Sequence, residues 1–280
     1  MLAYRHAFHA GNHADVLKHA VLMRVLEHMN AKPKAYRYVD THAGAGGYSL
    51  EGRYAQKKGE YERGIGRLWL SDDLPPMLAD YRALVRRFNP DGVLAQYPGS
   101  PALAQMLLRR QDQLRAFELH PTEQKILRAT LAASPNATVY DGDGFAGLKS
   151  QLPPSSRRAV VLMDPSYEGE GDYRKVVSTL RDALVRFADG VYVVWYPQVT
   201  KLAAVELPRR LEALAPASWL HVRLTVQPVD AQGFGLAGSG VFVVNPPHPL
   251  RAQLAGVLPY LVDTLGQFDG ASFALDHRDA

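Results

Sequence analysis

The stretch Ala159-Val160-Val161-Leu162-Met163-Asp164-Pro165-Ser166-Tyr167 decides the fold. Its first five residues form the most apolar strand-like run of the chain, and the run stops at an aspartate followed by a proline. A short apolar run bounded by such residues is typical of a buried β-strand. We therefore predict a strand over 159–163 that presents the Asp164 carboxylate at its carboxyl end.

Strand-like and helical patterns alternate on both sides of this stretch. Apolar residues recur at helical spacing over 13–29 and again between Tyr173 and Phe187. This alternation predicts an α/β fold with a doubly wound, mostly parallel sheet and helices on both faces, and ligands of such sheets bind beyond the carboxyl ends of the strands. Together with 159–163, we predict seven strands, the other six being 36–39, 114–117, 137–140, 190–195, 220–226 and 241–244.

Composition limits the class of protein. Of the 280 residues, 47% are hydrophobic, which is enough for a sizeable core, and the absence of cysteine excludes disulfides, thiolate zinc sites and a cysteine nucleophile. The sequence contains neither a signal-peptide pattern nor an uncharged apolar stretch long enough to cross a bilayer. We expect a soluble, unexported, cytoplasmic protein with no membrane partner.

Basic residues are in slight excess. The net charge of +4 and the pI of about 9.2 permit a polyanion partner, which would be bound through its phosphates. Each arginine pair is also compatible with an ordinary solvated surface, so charge alone does not indicate nucleic acid. The pairs are Arg86-Arg87, Arg109-Arg110, Arg157-Arg158 and Arg209-Arg210.

A glycine-rich segment, Asp40-Thr41-His42-Ala43-Gly44-Ala45-Gly46-Gly47, directly follows the first predicted strand. Glycines such as Gly44 let the backbone turn tightly and approach a ligand, and an acid at the end of the strand can anchor it. Similar loops occur in nicotinamide enzymes and in turns that bind nothing. Dinucleotide folds place the next acid about 20 residues later, whereas the best candidate here, Glu118, lies 78 residues after Asp40.

The long interval before Glu118 predicts an insertion. Residues 50–100 are rich in charged and aromatic side chains and show helical spacing from Leu78 to Phe88. We predict a single domain spanning 1–280 with a small inserted helical subdomain over 50–100. The insertion either caps an edge of the sheet or contacts the substrate.

A third loop, Asp141-Gly142-Asp143-Gly144-Phe145, follows another predicted strand. A carboxylate there can accept a hydrogen bond from a nucleobase amine, and the adjacent glycine lets the backbone approach the ring. An ordinary Asp-Gly turn has the same residues.

The tetrapeptide Asp164-Pro165-Ser166-Tyr167 resembles the Asp/Asn-Pro-Pro-aromatic signature of methyltransferases that act on planar amines, with Ser166 in place of the second proline. An adenine amine is a poor nucleophile, because its lone pair is delocalised into the ring. The Asp164 carboxylate and the Pro165 carbonyl can accept its two protons while Tyr167 stacks on the flipped base. Orientation and electrostatics would then promote methyl transfer, with Asp164 accepting the proton with or after it.

Further motifs make the chain similar to the bacterial 23S ribosomal RNA adenine-N6 methyltransferase family. They are the run Tyr4–His19, the segment 40–46, Tyr97-Pro98-Gly99-Ser100-Pro101, Glu118-Leu119-His120-Pro121 and Asn245-Pro246-Pro247. This resemblance implies a Rossmann-like class I methyltransferase fold, S-adenosylmethionine as cofactor, 23S ribosomal RNA as partner, no metal, and a monomer.

The resemblance also implies roles for individual residues. Asp164 would accept the proton, and Tyr4 and Tyr167 would meet the RNA substrate. The residues that would contact the cofactor or line its pocket are His19, His42, Gly44, Ser100, Glu118, Asp143, Gly144 and Asp164.

The histidine-rich N-terminal run allows a second interpretation. His9 and His13 are four residues apart and could share a helix face as metal ligands. We predict no metal site, because no third ligand occurs at suitable spacing and methyl transfer from a sulfonium needs no metal. His19 and His42 could alternatively be buried structural histidines.

Other functions remain compatible with the sequence. DNA adenine-N6 methylation uses the same amine chemistry, although no DNA-reading element such as a helix-turn-helix is evident. A nicotinamide-dependent oxidoreductase explains the glycine loop and leaves Asp164–Tyr167 without a role. A non-catalytic RNA-binding protein could also keep a methyltransferase fold.

Overall fold

A computed structural model describes residues 5–214, 217–229 and 235–279. Tyr4, predicted to meet the substrate, lies outside these residues. No helix in the described ranges is both long enough and apolar enough to span a membrane.

The predicted α/β sheet is present, with five parallel strands at one side and three antiparallel strands at the other. Its order is β10-β8-β9-β7-β6-β1-β4-β5, and all seven predicted strands belong to it. The strand bounds are β1 Arg37–Asp40, β4 Gln113–Glu118, β5 Ala137–Asp141, β6 Ala159–Met163, β7 Val191–Gln198, β8 Trp219–Thr225, β9 Gly238–Val244 and β10 Ser272–Arg278; β2 Gly47–Ser49 and β3 Gln96–Pro98 form a separate antiparallel pair.

The prediction of seven strands was wrong, because the main sheet has eight. The additional strand, β10, pairs antiparallel with β8 at the edge of the sheet. Its side chains are exposed or half-buried along its whole length, so it lacks the apolar run by which the other strands were found. An edge strand with one partner has less surface to bury than a central one.

The helices cover both faces of the sheet. The first, α1, is almost entirely buried, and Asn12 caps it by accepting hydrogen bonds from the N–H groups of Ala14 and Asp15, each at 3.0 Å. Within the described residues the α-helices are α1 His13–Asn30, α2 Arg53–Lys58, α3 Ile65–Trp69, α4 Pro76–Arg87, α5 Ser100–Leu107, α6 Pro121–Thr130, α7 Gly144–Leu148, α8 Glu170–Arg186, α9 Leu202–Glu212 and α10 Leu250–Leu265; short 3₁₀ helices occur at His6–Phe8 and Glu60–Arg63.

The segment between β2 and β3 contains α2, α3 and α4. Since β2 and β3 pair antiparallel, the two ends of this segment lie side by side. Its helix α4 packs on α1, α5 and α10.

Acidic residues collect at one edge of the sheet. Asp40, Glu118 and Asp141 end the neighbouring parallel strands β1, β4 and β5, and Asp164 directly follows β6. Because parallel strands end on the same side, these residues and the loops after them face a common space.

Candidate active site

Two adjoining cavities open at this edge. The first has a volume of about 220 Å³ and is lined by all eight residues predicted to contact the cofactor, and by Pro165. The second has a volume of about 270 Å³ and is lined by Tyr167 and other aromatic side chains. Four residues line both cavities: His6, Lys18, Asp164 and Ser166.

Glu118 is held at the wall of the first cavity by backbone donors. The N–H of Gly44 donates to Oε2 at 2.8 Å and the N–H of His120 donates to Oε1 at 2.7 Å. Gly44 has a φ of +60°, and a Cβ there would lie 2.2 Å from Oη of Tyr48, so the loop requires glycine at this position. Burial raises the pKa of the Glu118 carboxyl above its ordinary value, although these donors oppose the shift.

The raised pKa of Glu118 gives a pH-dependence for ligand binding. The ionised carboxylate can accept two hydrogen bonds from ligand hydroxyls, and it is protonated at a higher pH than an ordinary glutamate. If Glu118 holds the expected cofactor, the affinity for S-adenosylhomocysteine should fall as the pH is lowered, and the fall should begin at a higher pH than an ordinary glutamate would give. Glu118→Gln should bind more weakly and with a flatter pH profile. Calorimetric titration measures both, and a pH-independent wild-type affinity would contradict this role.

Asp40 is fully buried behind the first cavity and does not line it. Its Oδ2 accepts hydrogen bonds from the hydroxyls of Tyr38 at 2.8 Å and Ser100 at 2.7 Å. Burial raises the pKa of Asp40 to about 6, against the opposing effect of these donors. Asp40 therefore positions Ser100, and its own carboxylate does not line the cavity.

The two histidines of the first cavity are neutral at physiological pH. Burial lowers the pKa of His19 to about 3 and that of His42 to about 4. His19 Nδ1 lies 2.8 Å from the Tyr97 hydroxyl, while its buried Nε2 has no hydrogen-bond partner within the described ranges. Nε2 is thus available to a bound molecule.

Asp143 and Gly144 form the start of α7. The Asp143 carboxylate accepts a hydrogen bond from the N–H of Phe145 at 2.8 Å, and its half-exposed side chain still lines the cavity. A Cβ on Gly144 would lie 1.9 Å from the carbonyl oxygen of Thr41. The glycine is therefore needed for two loops of the cavity wall to pack together.

This close approach predicts a large difference between two glycine substitutions. Gly144→Ala should lower the free energy of unfolding by about 1–3 kcal/mol, because backbone must move to admit the methyl group. Gly171→Ala is the control, since a Cβ on this residue of α8 meets nothing within 4 Å. Urea denaturation measures the free energy of unfolding of both variants. Equal values would show that the loop at Thr41 can move to admit the methyl group at little cost.

At the junction of the cavities Asp164 forms a buried ion pair. Lys18 Nζ donates to Asp164 Oδ2 at 2.6 Å and to Asp15 Oδ1 at 2.7 Å. The second oxygen of Asp15 lies 2.8 Å from His6 Nε2 and accepts the N–H of Gly11 at 2.9 Å. We call His6, Asp15, Lys18 and Asp164 the junction network.

Opposite charges keep Asp15 and Lys18 ionised despite their burial. Burial alone would lower the pKa of the Lys18 ammonium, but Asp15 and Asp164 raise it above its ordinary value. Burial would likewise raise the pKa of Asp15, but His6 and Lys18 bring it well below its ordinary range. Lys18 therefore stabilises carboxylates at the junction.

Three members of this network, His6, Asp15 and Lys18, lie in the N-terminal run, and no role beside Asp164 was predicted for them. One signal was present: Asp15 and Lys18 are three residues apart, on one face of the predicted helix.

Tyr167 lies in the wall of the second cavity. It is only 3% exposed, has a φ of +52°, and donates its hydroxyl to the carbonyl of Trp195 at 2.7 Å. Its ring centroid is 4.6 Å from that of Tyr173 and 6.0 Å from that of Trp195. Tyr173 and Trp195 were also missed, although Trp195 ends a predicted strand. The cavity is thus aromatic on one side and charged on the other.

Comparisons with known proteins agree with this architecture. A family model described as "Ribosomal RNA large subunit methyltransferase D, RlmJ" matches residues 33–275. Two relatives described as ribosomal RNA large subunit methyltransferase J are similar: one from Escherichia coli K12 is 46% identical over 93% of each chain, and one from Haemophilus influenzae is 45% identical over 95% of this chain and 94% of its own. A crystal structure of a protein from Legionella pneumophila superposes with a TM-score of 0.88 at 33% identity, covering 97% of this chain and 98% of that one.

Proposed function

The chain belongs to the RlmJ family of ribosomal RNA large subunit methyltransferases, and we propose that it methylates the exocyclic N6 amine of an adenine in 23S ribosomal RNA. The observation that carries the proposal is the meeting of two cavities at Asp164 and its neighbours. One cavity has the residues of a cofactor site and the other has aromatic walls that suit a base.

The first cavity fits S-adenosylmethionine. Glu118 would accept the ribose hydroxyls, as the acid after the second strand does in related nucleotide sites. Asp143 would accept the adenine amine of the cofactor, and His19 Nε2 offers a buried, unpartnered polar atom. Gly44 and Gly144 keep the backbone close to the ligand. The bound cofactor supplies an electrophilic methyl group on a sulfonium.

Asp164 and Pro165 would hold the target amine. Asp164 Oδ2 is bonded to Lys18, which leaves Oδ1 for one amine proton, and the Pro165 carbonyl takes the other. This orients the nitrogen lone pair toward the first cavity. Methyl transfer would form the nitrogen–carbon bond while the carbon–sulfur bond of the sulfonium breaks and the sulfur keeps the electron pair. The amine nitrogen, positively charged at that point, would pass one of its protons to Asp164.

Lys18 has a positioning role in this scheme. Its ammonium fixes the rotamer of Asp164 through the 2.6 Å contact with Oδ2. Because Lys18 remains paired with Asp15 throughout, its charge stays compensated when Asp164 takes up a proton.

The second cavity would receive the adenine ring. Tyr167, Tyr173 and Trp195 provide an aromatic wall, and the hydrogen bond from the Tyr167 hydroxyl to the main-chain carbonyl of Trp195 fixes the Tyr167 ring in it. In this proposal residues 1–280 form one methyltransferase domain, and 50–100 are its inserted helical subdomain.

The activity is tested with methyl-labelled S-adenosylmethionine and three polymers: 23S ribosomal RNA, the same RNA isolated from cells that express this protein, and adenine-rich DNA. We expect label in N6-methyladenosine of the first polymer only. Label in DNA would favour DNA methylation. Binding of RNA without transfer would favour a non-catalytic RNA-binding protein.

A further inference from the structure

A groove on the surface continues from the second cavity toward the edge of the sheet. It has a volume of about 630 Å³ and lies between α9 and the ends of β7, β8 and β10. Pro197 and Val199 line both the groove and the second cavity. A polymer with one base in the second cavity therefore has a continuous path into the groove.

Exposed apolar side chains concentrate in this groove. Val205 is 63% exposed, Val229 50% and Phe273 43%, and all three line it. They are three of the nine large apolar side chains that are exposed in the described residues, whereas Leu70 and Val185 lie elsewhere on the surface. An apolar patch of this kind marks an interaction surface more often than isolated residues do.

The charges beside the groove favour a polyanion. Arg223 lines it, and Lys201 lines the neighbouring second cavity. Arg223 is paired with Asp276 at 2.5 Å but is 39% exposed, so it keeps access to solvent. None of the described residues that line the groove is acidic. An acidic protein partner would suit the charges equally, but it would have no reason to continue into the base cavity.

We propose that this groove binds the nucleotides that flank the target adenine in the RNA strand. Phe273 and the apolar rim would stack against an unpaired base, and Arg223 would lie near the phosphates. This inference rests on the proposed function and adds to it the path of the substrate. Selection of the target would then depend on the neighbouring unpaired bases.

The test compares Phe273→Ala and Val205→Ser with Val185→Ser, which removes a side chain that is 84% exposed on α8, outside the groove. With an RNA hairpin as substrate, Phe273→Ala removes the stacking ring and should raise KM about tenfold. Val205→Ser removes an apolar contact and should raise KM by a smaller factor. kcat, the affinity for S-adenosylhomocysteine and the melting temperature should stay at wild-type values, as should every parameter of Val185→Ser. If Phe273→Ala has a lower melting temperature than the wild type and Val205→Ser does not, the KM of Val205→Ser is the result that tests the groove.

A crosslink identifies the occupant directly. A photoreactive benzoylphenylalanine in place of Phe273 should crosslink to nucleotides beside the target adenine. The groove proposal is overturned if the wild-type protein methylates RNA while both groove variants keep its KM, or if position 273 crosslinks only to protein in ribosomal particles. An inactive wild-type protein would instead overturn the proposed function.

Discussion

Asp164→Ala should lower kcat by about a thousandfold, in the range found when one preorganised polar contact to a transition state is removed. The variant loses both an acceptor that orients the amine and the group that takes its proton. Lys18 keeps its second partner, Asp15, at 2.7 Å, so the buried cation stays compensated and the fold should be retained. Single-turnover assays with saturating RNA measure the loss.

Asp164→Asn keeps the shape of this side chain and removes both of its roles. The single amide oxygen is taken by the Lys18 ammonium, so the side chain offers the target amine no acceptor and cannot take up its proton. We expect it to bind RNA like the wild type and to remain nearly inactive. Turnover of Asp164→Ala above a tenth of the wild-type value, with the protein folded, would place the proton acceptor elsewhere.

The sheet could be predicted because its central strands are buried on both faces and therefore appear as continuous apolar runs, as in 159–163. The edge strand β10 gives no such run, since it pairs with β8 alone and most of its side chains remain accessible. The formation of β10 therefore depends on its pairing with β8 and not on its own amino-acid composition.

The residues at strand ends were predictable for a geometric reason. Glu118, Asp143 and Asp164 follow different strands, yet parallel strands bring their carboxyl ends together, so the residues share one cavity wall. The position of Asp40 could not be predicted in the same way. The structure shows that its carboxylate lies behind Ser100, whose hydroxyl donates to it, and not in the cavity wall.

The contact between Lys18 and Asp164 could not be predicted from spacing. The two residues are 146 positions apart, and they meet only because α1 packs against β7 and β9 of the sheet, beside β6. In the sequence, Lys18 is a charged residue on the buried face of the helix α1. The structure shows that this residue is the point at which the helix contacts the reacting carboxylate.

Lys18→Met should be strongly destabilising, by about 3–5 kcal/mol at pH 7, because it leaves the buried carboxylate of Asp15 without this cation and also removes a partner of the partly buried Asp164. In the wild type the depressed pKa of Asp15 stabilises the fold at neutral pH, and this contribution is lost as the pH falls through that value. In the variant the Asp15 carboxylate is protonated more readily, so the deficit in stability should shrink between pH 7 and pH 4.5. Lys149→Met, which removes an exposed lysine, serves as the control.

The same variant tests whether Lys18 acts through Asp164. A carboxylate that loses a neighbouring cation is protonated at a higher pH, so the pH below which activity is lost should rise in the variant. Urea denaturation at the two pH values and a pH profile of kcat are measured on the same preparation. An equal loss of stability at both pH values, with an unshifted profile, would show that Lys18 contributes packing and not charge.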